Sequence, residues 1–205
     1  MNDSRDTRSS LIEAGRTLFA EGGYEGTSVR AITGRAGANL GAVTYHFGSK
    51  EALYHAVLEA VLAPLRSKLE RASDSGGSPL DRIEAFVRAF FAYLLAHPEL
   101  RQLMLQQIGT GPGSPAARRT LRFNLGLLRA LIEEGQDGGS IRPGRPEFLA
   151  FSVGAQPVAL NLVRPVIEQA VDFDPLGPET GHLLIDHVVR FVRAGLAADG
   201  GEDGA

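Results

Sequence analysis

Residues 27–50, TSVRAITGRAGANLGAVTYHFGSK, constrain this chain more than any other stretch. Ser28 can cap a helix in which Val29, Ile32 and Ala36 fall at three- and four-residue spacing. Gly37 ends that helix, because glycine takes a left-handed backbone without steric strain. Asn39 can then cap a second, short helix with Val43 and Phe47 turned inward. That leaves Gly41, Ala42, Thr44, Tyr45 and His46 on or beside its outer face. Two short helices around a tight turn form a helix-turn-helix, whose second helix is the one such motifs lay in the DNA major groove.

The flanking residues narrow this further. The run Thr44-Tyr45-His46-Phe47-Gly48-Ser49-Lys50-Glu51-Ala52-Leu53 resembles the hallmark of the TetR family of bacterial one-component repressors, at the end of the recognition helix and the start of the next. The lead-in Leu18-Phe19-Ala20-Glu21-Gly22-Gly23-Tyr24-Glu25-Gly26-Thr27-Ser28 is similar to that family's junction between its first two helices. The resemblance covers residues 7–62 of 205. It implies a DNA-binding head followed by a helical body that binds a small inducer and dimerises through its last two helices. The implied division is a head at 1–62, a ligand-binding and dimerisation domain at 63–199 and a disordered tail at 200–205.

The periodicity is helical throughout, which predicts an all-α chain of roughly nine helices. Leu11, Ile12, Gly15, Leu18 and Phe19 mark a first helix over residues 7–21. Ser49 caps a fourth, running to about residue 71 with Pro64 as a kink. A linker at 73–79 ends on Pro79, which suits the first turn of a helix over 79–96. Shorter periodic stretches follow at 98–108 and 115–134, then two long ones at 147–170 and 177–198, and no segment alternates convincingly as a strand.

Composition is neutral on DNA binding. The net charge is −3, split as +1 over residues 1–50 and −4 over the rest, so cations must act by placement rather than in bulk. The chain has no cysteine, which removes disulfide and thiolate chemistry and fits a cytoplasmic protein. The polar, then amphipathic, N-terminus is no signal peptide, and the most apolar stretch, residues 148–163, is too short and too polar to span a membrane.

Within the head, Thr27 and Ser28 are helix-cap residues whose hydroxyls and free backbone N–H groups also suit a DNA phosphate. Arg30, one turn further, is either a second phosphate contact or solvated surface. Tyr45 is pushed outward by Val43 and Phe47, so its hydroxyl and the His46 imidazole can donate to phosphates. Lys50 resembles the family's phosphate-gripping lysine, and a cation in a first turn opposes the helix dipole unless an anion binds there. Base reading falls to Asn39, Leu40, Gly41, Ala42 and Thr44. Asn39 can pair with adenine, Leu40 can touch a thymine methyl, and the small residues admit close backbone approach. Many relatives carry a polar residue where Leu40 stands.

In the body, Phe86, Phe90, Tyr93, Met104, Gln107, Phe123 and Leu127 are candidate lining for an inducer pocket, with ordinary core as the alternative. Phe148, Phe151, Leu160, Leu184, Val188 and Val192 are candidates for an intermolecular four-helix interface, again with core as the alternative. His182 and His187 are five apart and fall on different helical faces, so no metal site is expected, nor a cofactor or a nucleophile–base pair. The expected function is a homodimeric, non-enzymatic repressor released from a palindromic operator in double-stranded DNA by an apolar or amphipathic inducer. The alternatives are a helical enzyme or cofactor-binding body with a vestigial head, and a DNA-binding protein without inducer.

Overall fold

The computed structural model describes residues 3–109, 113–171 and 173–198. The expected tail at 200–205 and part of the glycine-proline break after the sixth helix lie outside them. The described residues form nine helices: α1 (Asp3–Gly26), α2 (Val29–Arg35), α3 (Ala42–Phe47), α4 (Lys50–Ser73), α5 (Pro79–Ala96), α6 (Glu99–Gly109), α7 (Pro115–Asp137), α8 (Pro146–Val171) and α9 (Gly181–Leu196). Among these residues no strand forms, and one isolated antiparallel bridge joins Ile141 to Ala197. The fold is therefore all-α. No helix among them is long and apolar enough to cross a membrane, and no three of His, Cys, Asp and Glu gather as metal ligands.

The chain divides into two compact units. The first comprises Met1–Pro64 and His97–Thr120, in which α1 packs on α2, α3 and α6. Leu11, Phe19, Ile32, Val43, Leu53, Val57, Leu100 and Leu103 are among its buried apolar residues. A Cβ on Gly15 would stand 2.9 Å from Val57 Cγ2, so glycine lets α1 and α4 approach. Polar links supplement the packing. Gln106 donates to the Phe19 carbonyl at 2.9 Å, and Gln107 donates to the Tyr54 hydroxyl at 2.9 Å. The Gln107 amide oxygen in turn accepts from the Ser114 N–H at 2.6 Å. Helix α1 outruns its predicted end because the chain stays helical on both sides of Gly23, whose φ of 71° supplies the bend.

The second unit comprises Leu65–Ala96 and Leu121–Ala205 and centres on α5, which packs on α8 and α9. Leu80, Ile83, Phe86, Val87, Phe90, Phe91, Tyr93 and Leu94 are all buried along α5. Each such side chain contributes about 1.5–3 kcal/mol on burial, so this stripe far outweighs the surface ion pairs around it. A capping box starts the helix: Asp81 N–H donates to Ser78 Oγ at 3.3 Å, and Ser78 N–H donates to Asp81 Oδ2 at 3.0 Å. Arg193, then Ser78, hold the Asp81 carboxyl down at about 2, so it is charged throughout the neutral range.

Helices α8 and α9 each show two apolar faces. Leu149, Ala150, Val153 and Pro157 point inward from α8, while Phe148 and Phe151 are exposed. On α9, Val188, Val189, Val192 and Leu196 are buried, while Leu183 and Phe191 are exposed, the latter at 64%. This corrects two residues expected at a partner interface: Val188 and Val192 belong to the unit's own core. Leu160 and Leu184 are half-buried.

Two glycines of α7 make a stability test. Gly126 is exposed with nothing within 4 Å of an added Cβ, so Gly126→Ala should stabilise by about 0.5–1 kcal/mol through helix propensity. At Gly135 an added Cβ would lie 2.5 Å from Ile141 Cδ1, a buried side chain. The backbone around Ile141 is pinned by Arg142 N–H to the Leu196 carbonyl at 2.8 Å. Gly135→Ala should therefore destabilise by about 1–3 kcal/mol, the usual cost of overpacking. Urea midpoints moving in the same direction for both would contradict this packing.

Candidate nucleic-acid interface

The turn between α1 and α2 is built by Thr27. It is 4% exposed, and its hydroxyl lies 2.7 Å from the Gly23 carbonyl and 2.9 Å from the Leu18 carbonyl. The hydroxyl expected to offer itself to a phosphate is engaged in closing the turn. Ser28 is the N-cap, with extended backbone and Oγ accepting from Ala31 N–H at 3.1 Å. Arg30 is exposed one turn on.

Helix α2 ends in a Schellman motif. Gly37 has φ 65°, its N–H donates to the Gly34 carbonyl at 3.3 Å, and Ala38 N–H donates to the Thr33 carbonyl at 2.9 Å. The next element departs from expectation. Asn39 does not cap α3 with its side chain. Gly41 is the N-cap without a side-chain bond, and Asn39 contributes its backbone carbonyl, accepting from Ala42 N–H at 3.0 Å. The asparagine side chain is thereby left exposed. Ala42 is buried rather than outward, sharing the inner face with Val43. Leu40 and Tyr45 are exposed at 62% and 81%, and Gly41 and Thr44 are exposed with them. His46 is half-buried, its ring 4.9 Å from that of Tyr45 in an edge contact.

Gly48, with φ 84°, turns the chain out of α3, and Ser49 caps α4 by accepting from Ala52 N–H at 3.0 Å. Lys50 then sits in the first turn, where the dipole disfavours a cation. Its Nζ lies 4.3 Å from the centroid of the Tyr24 ring. Tyr24 is in turn 5.2 Å from Tyr54 and 6.1 Å from Phe19, while Phe19 and Tyr54 meet edge-on at 4.9 Å. Burial, then Glu51 and Glu25, push the Tyr24 hydroxyl above its ordinary range, so it stays protonated and the ring face stays available to the ammonium. This aromatic support orients Lys50 from beneath.

The structure thus gathers Asn39, Leu40, Gly41, Thr44, Tyr45 and His46 on and beside α3. Ser28 and Lys50 stand as caps or first-turn residues of its neighbours. Two residues outside the predicted set enter: Tyr24 under Lys50, and Arg8 of α1, whose guanidinium carbon is 5.0 Å from the Phe47 ring centroid. Both meet residues far away in sequence, which spacing alone does not reveal.

The predicted pocket residues divide between the units. Phe86, Phe90 and Tyr93 are buried in the second, with Phe123 and Leu127 half-buried there. Met104 and Gln107 are half-buried in the first, and the Gln107 amide is engaged by Tyr54 and Ser114. A groove of about 450 Å³ in the second unit runs along Arg122, Leu125, Gly126, Arg129, Ala130, Glu133, Glu147 and Ala150, and shares none of the seven.

Residues 11–57 match the family described as "Bacterial regulatory proteins, tetR family". Over 197 residues the chain is 33% identical to the HTH-type transcriptional repressor KstR2 of Mycobacterium tuberculosis, covering 94% of each. Its fold is similar to the solved ketosteroid transcriptional regulator KstR2 of the same organism, with a TM-score of 0.70, 21% identity and 94% and 95% of the two chains covered. It is also similar to FadR of Bacillus subtilis, solved in complex with stearoyl-CoA, with a TM-score of 0.75, 17% identity and coverage of 91% and 98%.

Proposed function

The chain belongs to the TetR family of bacterial regulatory proteins, and from that premise we propose that it is a homodimeric repressor that leaves its operator when a small apolar or amphipathic molecule binds its body. That it is a helix-turn-helix DNA-binding regulator follows from the family. The repressor role rests on the kinship with KstR2, a repressor. The single observation that carries the DNA-facing part is the exposure of Thr44 and Tyr45 on α3 and of Leu40 in the turn before it, together with a Lys50 that is supported by the Tyr24 ring in the first turn of α4.

In this reading Tyr45, His46, Lys50, Ser28 and Arg30 grip phosphates and Asn39 and Leu40 read bases, with Thr44 beside them. The wider body, from about residue 63, takes up the inducer, and the buried aromatic residues of α5 supply its apolar surroundings. The relative solved with stearoyl-CoA supports a ligand with a long apolar part. Phe148, Phe151, Leu183 and Phe191 supply the face through which two copies pair. A ligand that prefers a body conformation with ill-spaced heads lowers DNA affinity, and DNA lowers ligand affinity by the same factor. No enzymatic step is assigned, since the relatives are regulators.

Selection from random duplex DNA followed by binding titrations tests this. A roughly palindromic site should emerge. Lys50→Ala should weaken the selected and random duplexes alike by about 10-fold or more, the scale of a hydrogen bond to a charged group. The slope of log K against log salt should flatten by about 0.9 for each phosphate that the variant no longer neutralises. Asn39→Ala should instead relax preference at one base position by about 1–3 kcal/mol. Failure to enrich any site would remove the sequence-reading role.

A further inference from the structure

We infer that Arg8, on α1 and outside the helix-turn-helix, is a DNA phosphate ligand held in place by its stack on Phe47. The inference deepens the DNA-binding reading above and rests on it. Arg8 is exposed, and its guanidinium carbon lies 5.0 Å from the centroid of the Phe47 ring. Phe47 is the last residue of α3, and its ring lies 6.3 Å from that of His46, which contacts Tyr45. Helix α1 therefore delivers a cation to the C-terminal end of the recognition helix, where Tyr45 reaches outward.

The chemistry of the stack favours an anion partner. A guanidinium that lies against an aromatic ring uses its face there, while its N–H donors radiate in the plane and stay free to fork onto two oxygens. Phosphate presents that pair of oxygens, and arginine matches it in a way that lysine does not. Arg8 forms no ion pair with a carboxylate among the described residues, whereas Arg16, two turns further along α1, is claimed by Glu13 at 2.8 Å and Glu99 at 3.8 Å. With a net charge of only +1 over residues 1–50, an arginine at this edge that no carboxylate of the described residues pairs with carries a large share of the attraction. The stack also orders a long side chain before DNA arrives, which lowers the entropy lost on binding.

The test uses the full-length protein, the operator duplex obtained by selection and a random duplex, with affinities measured across a range of salt. Arg8→Gln should lose about 10-fold in affinity at low salt for both duplexes, and flatten the salt slope by about 0.9 per phosphate, or about 1.8 in a dimer. Arg8→Lys should keep most of the slope while losing part of the affinity, because the charge remains and the planar fork does not. Melting midpoints equal to wild type for both variants establish that the losses are at the surface. Since Arg8 is exposed, an early melt of Arg8→Gln would itself show a structural role and overturn the inference. So would wild-type affinity and slope, or a loss confined to the selected duplex, which would make Arg8 a base reader. A wild-type protein that binds neither duplex would instead overturn the DNA-binding reading.

Discussion

Phe191→Asp should convert the protein to monomers and lower its operator affinity by about 10²–10⁴-fold, the scale by which linked binding modules exceed single ones. One head touches too little DNA for tight specific binding, and two heads on a two-fold axis set the half-site spacing that a palindrome answers. Phe191 is 64% exposed on α9, with Leu183 two turns earlier, and Phe148 and Phe151 stand equally bare on α8. A carboxylate on that face must be desolvated if two copies are to pair through it, and an unpaired buried charge is not tolerated. The expected readings are a monomer mass by light scattering, an unchanged circular dichroism spectrum and a collapse of specific binding. Residual binding to random DNA should persist, because each head keeps its grip on phosphates. A dimer that survives both Phe191→Asp and Phe148→Asp would move the interface elsewhere.

Val188 shows why the interface was only partly legible in the sequence. Helix α9 carries apolar residues on two faces, and a helical wheel fixes which residues share a face without saying which face turns inward. Val188 and Val192 proved to be core, and Leu183 and Phe191 the exposed pair. Val188→Asp should accordingly cost several kcal/mol and unfold the second unit rather than yield a folded monomer. The long helices were easier to read, since an α5 stripe repeating at three and four residues has no rival interpretation. Its start at Pro79 was marked by the linker before it and a proline suited to a first turn.

The head was legible in its elements and less so in its side chains. Ser28 and Ser49 cap as their positions imply, and Gly37 closes α2 with a positive φ. Asn39 and Ala42 departed for one reason, a small shift in where α3 begins. Asn39 sits in the turn as a backbone acceptor, so the helix opens at Gly41 and Ala42 rotates inward. Thr27 departed for another, drawn inward by two carbonyls of α1, one of them at the Gly23 bend. Helix boundaries depend on local hydrogen bonds that compete within a fraction of a kcal/mol, and side-chain direction follows them.

Phe19→Ala should destabilise the protein by about 3–5 kcal/mol, a large part of the roughly 5–15 kcal/mol that a domain commonly has. Phe19 is fully buried, meets Tyr54 edge-on at 4.9 Å and stands 6.1 Å from Tyr24. Removing its ring leaves a void that neither tyrosine can fill, because Tyr54 is also held by Gln107. Tyr24 would lose its backing, and with it the surface over which the Lys50 ammonium sits at 4.3 Å. DNA affinity should therefore fall part of the way toward that of Lys50→Ala, even at temperatures where the variant stays folded. The full loss of Lys50→Ala is the upper bound, because the ammonium itself remains in Phe19→Ala. Phe19→Leu separates volume from aromaticity. It keeps much of the volume, and should forfeit the edge-on ring pairing, worth about 0.5–1.5 kcal/mol, together with a smaller void penalty. Urea unfolding ranks the three proteins, and DNA titrations under native conditions rank their binding. Leucine restoring stability without restoring affinity would show that the ring itself, through Tyr24, sets the position of Lys50. Full DNA affinity and an unchanged salt slope in a folded Phe19→Ala protein would show that Lys50 reaches its phosphate without aromatic support.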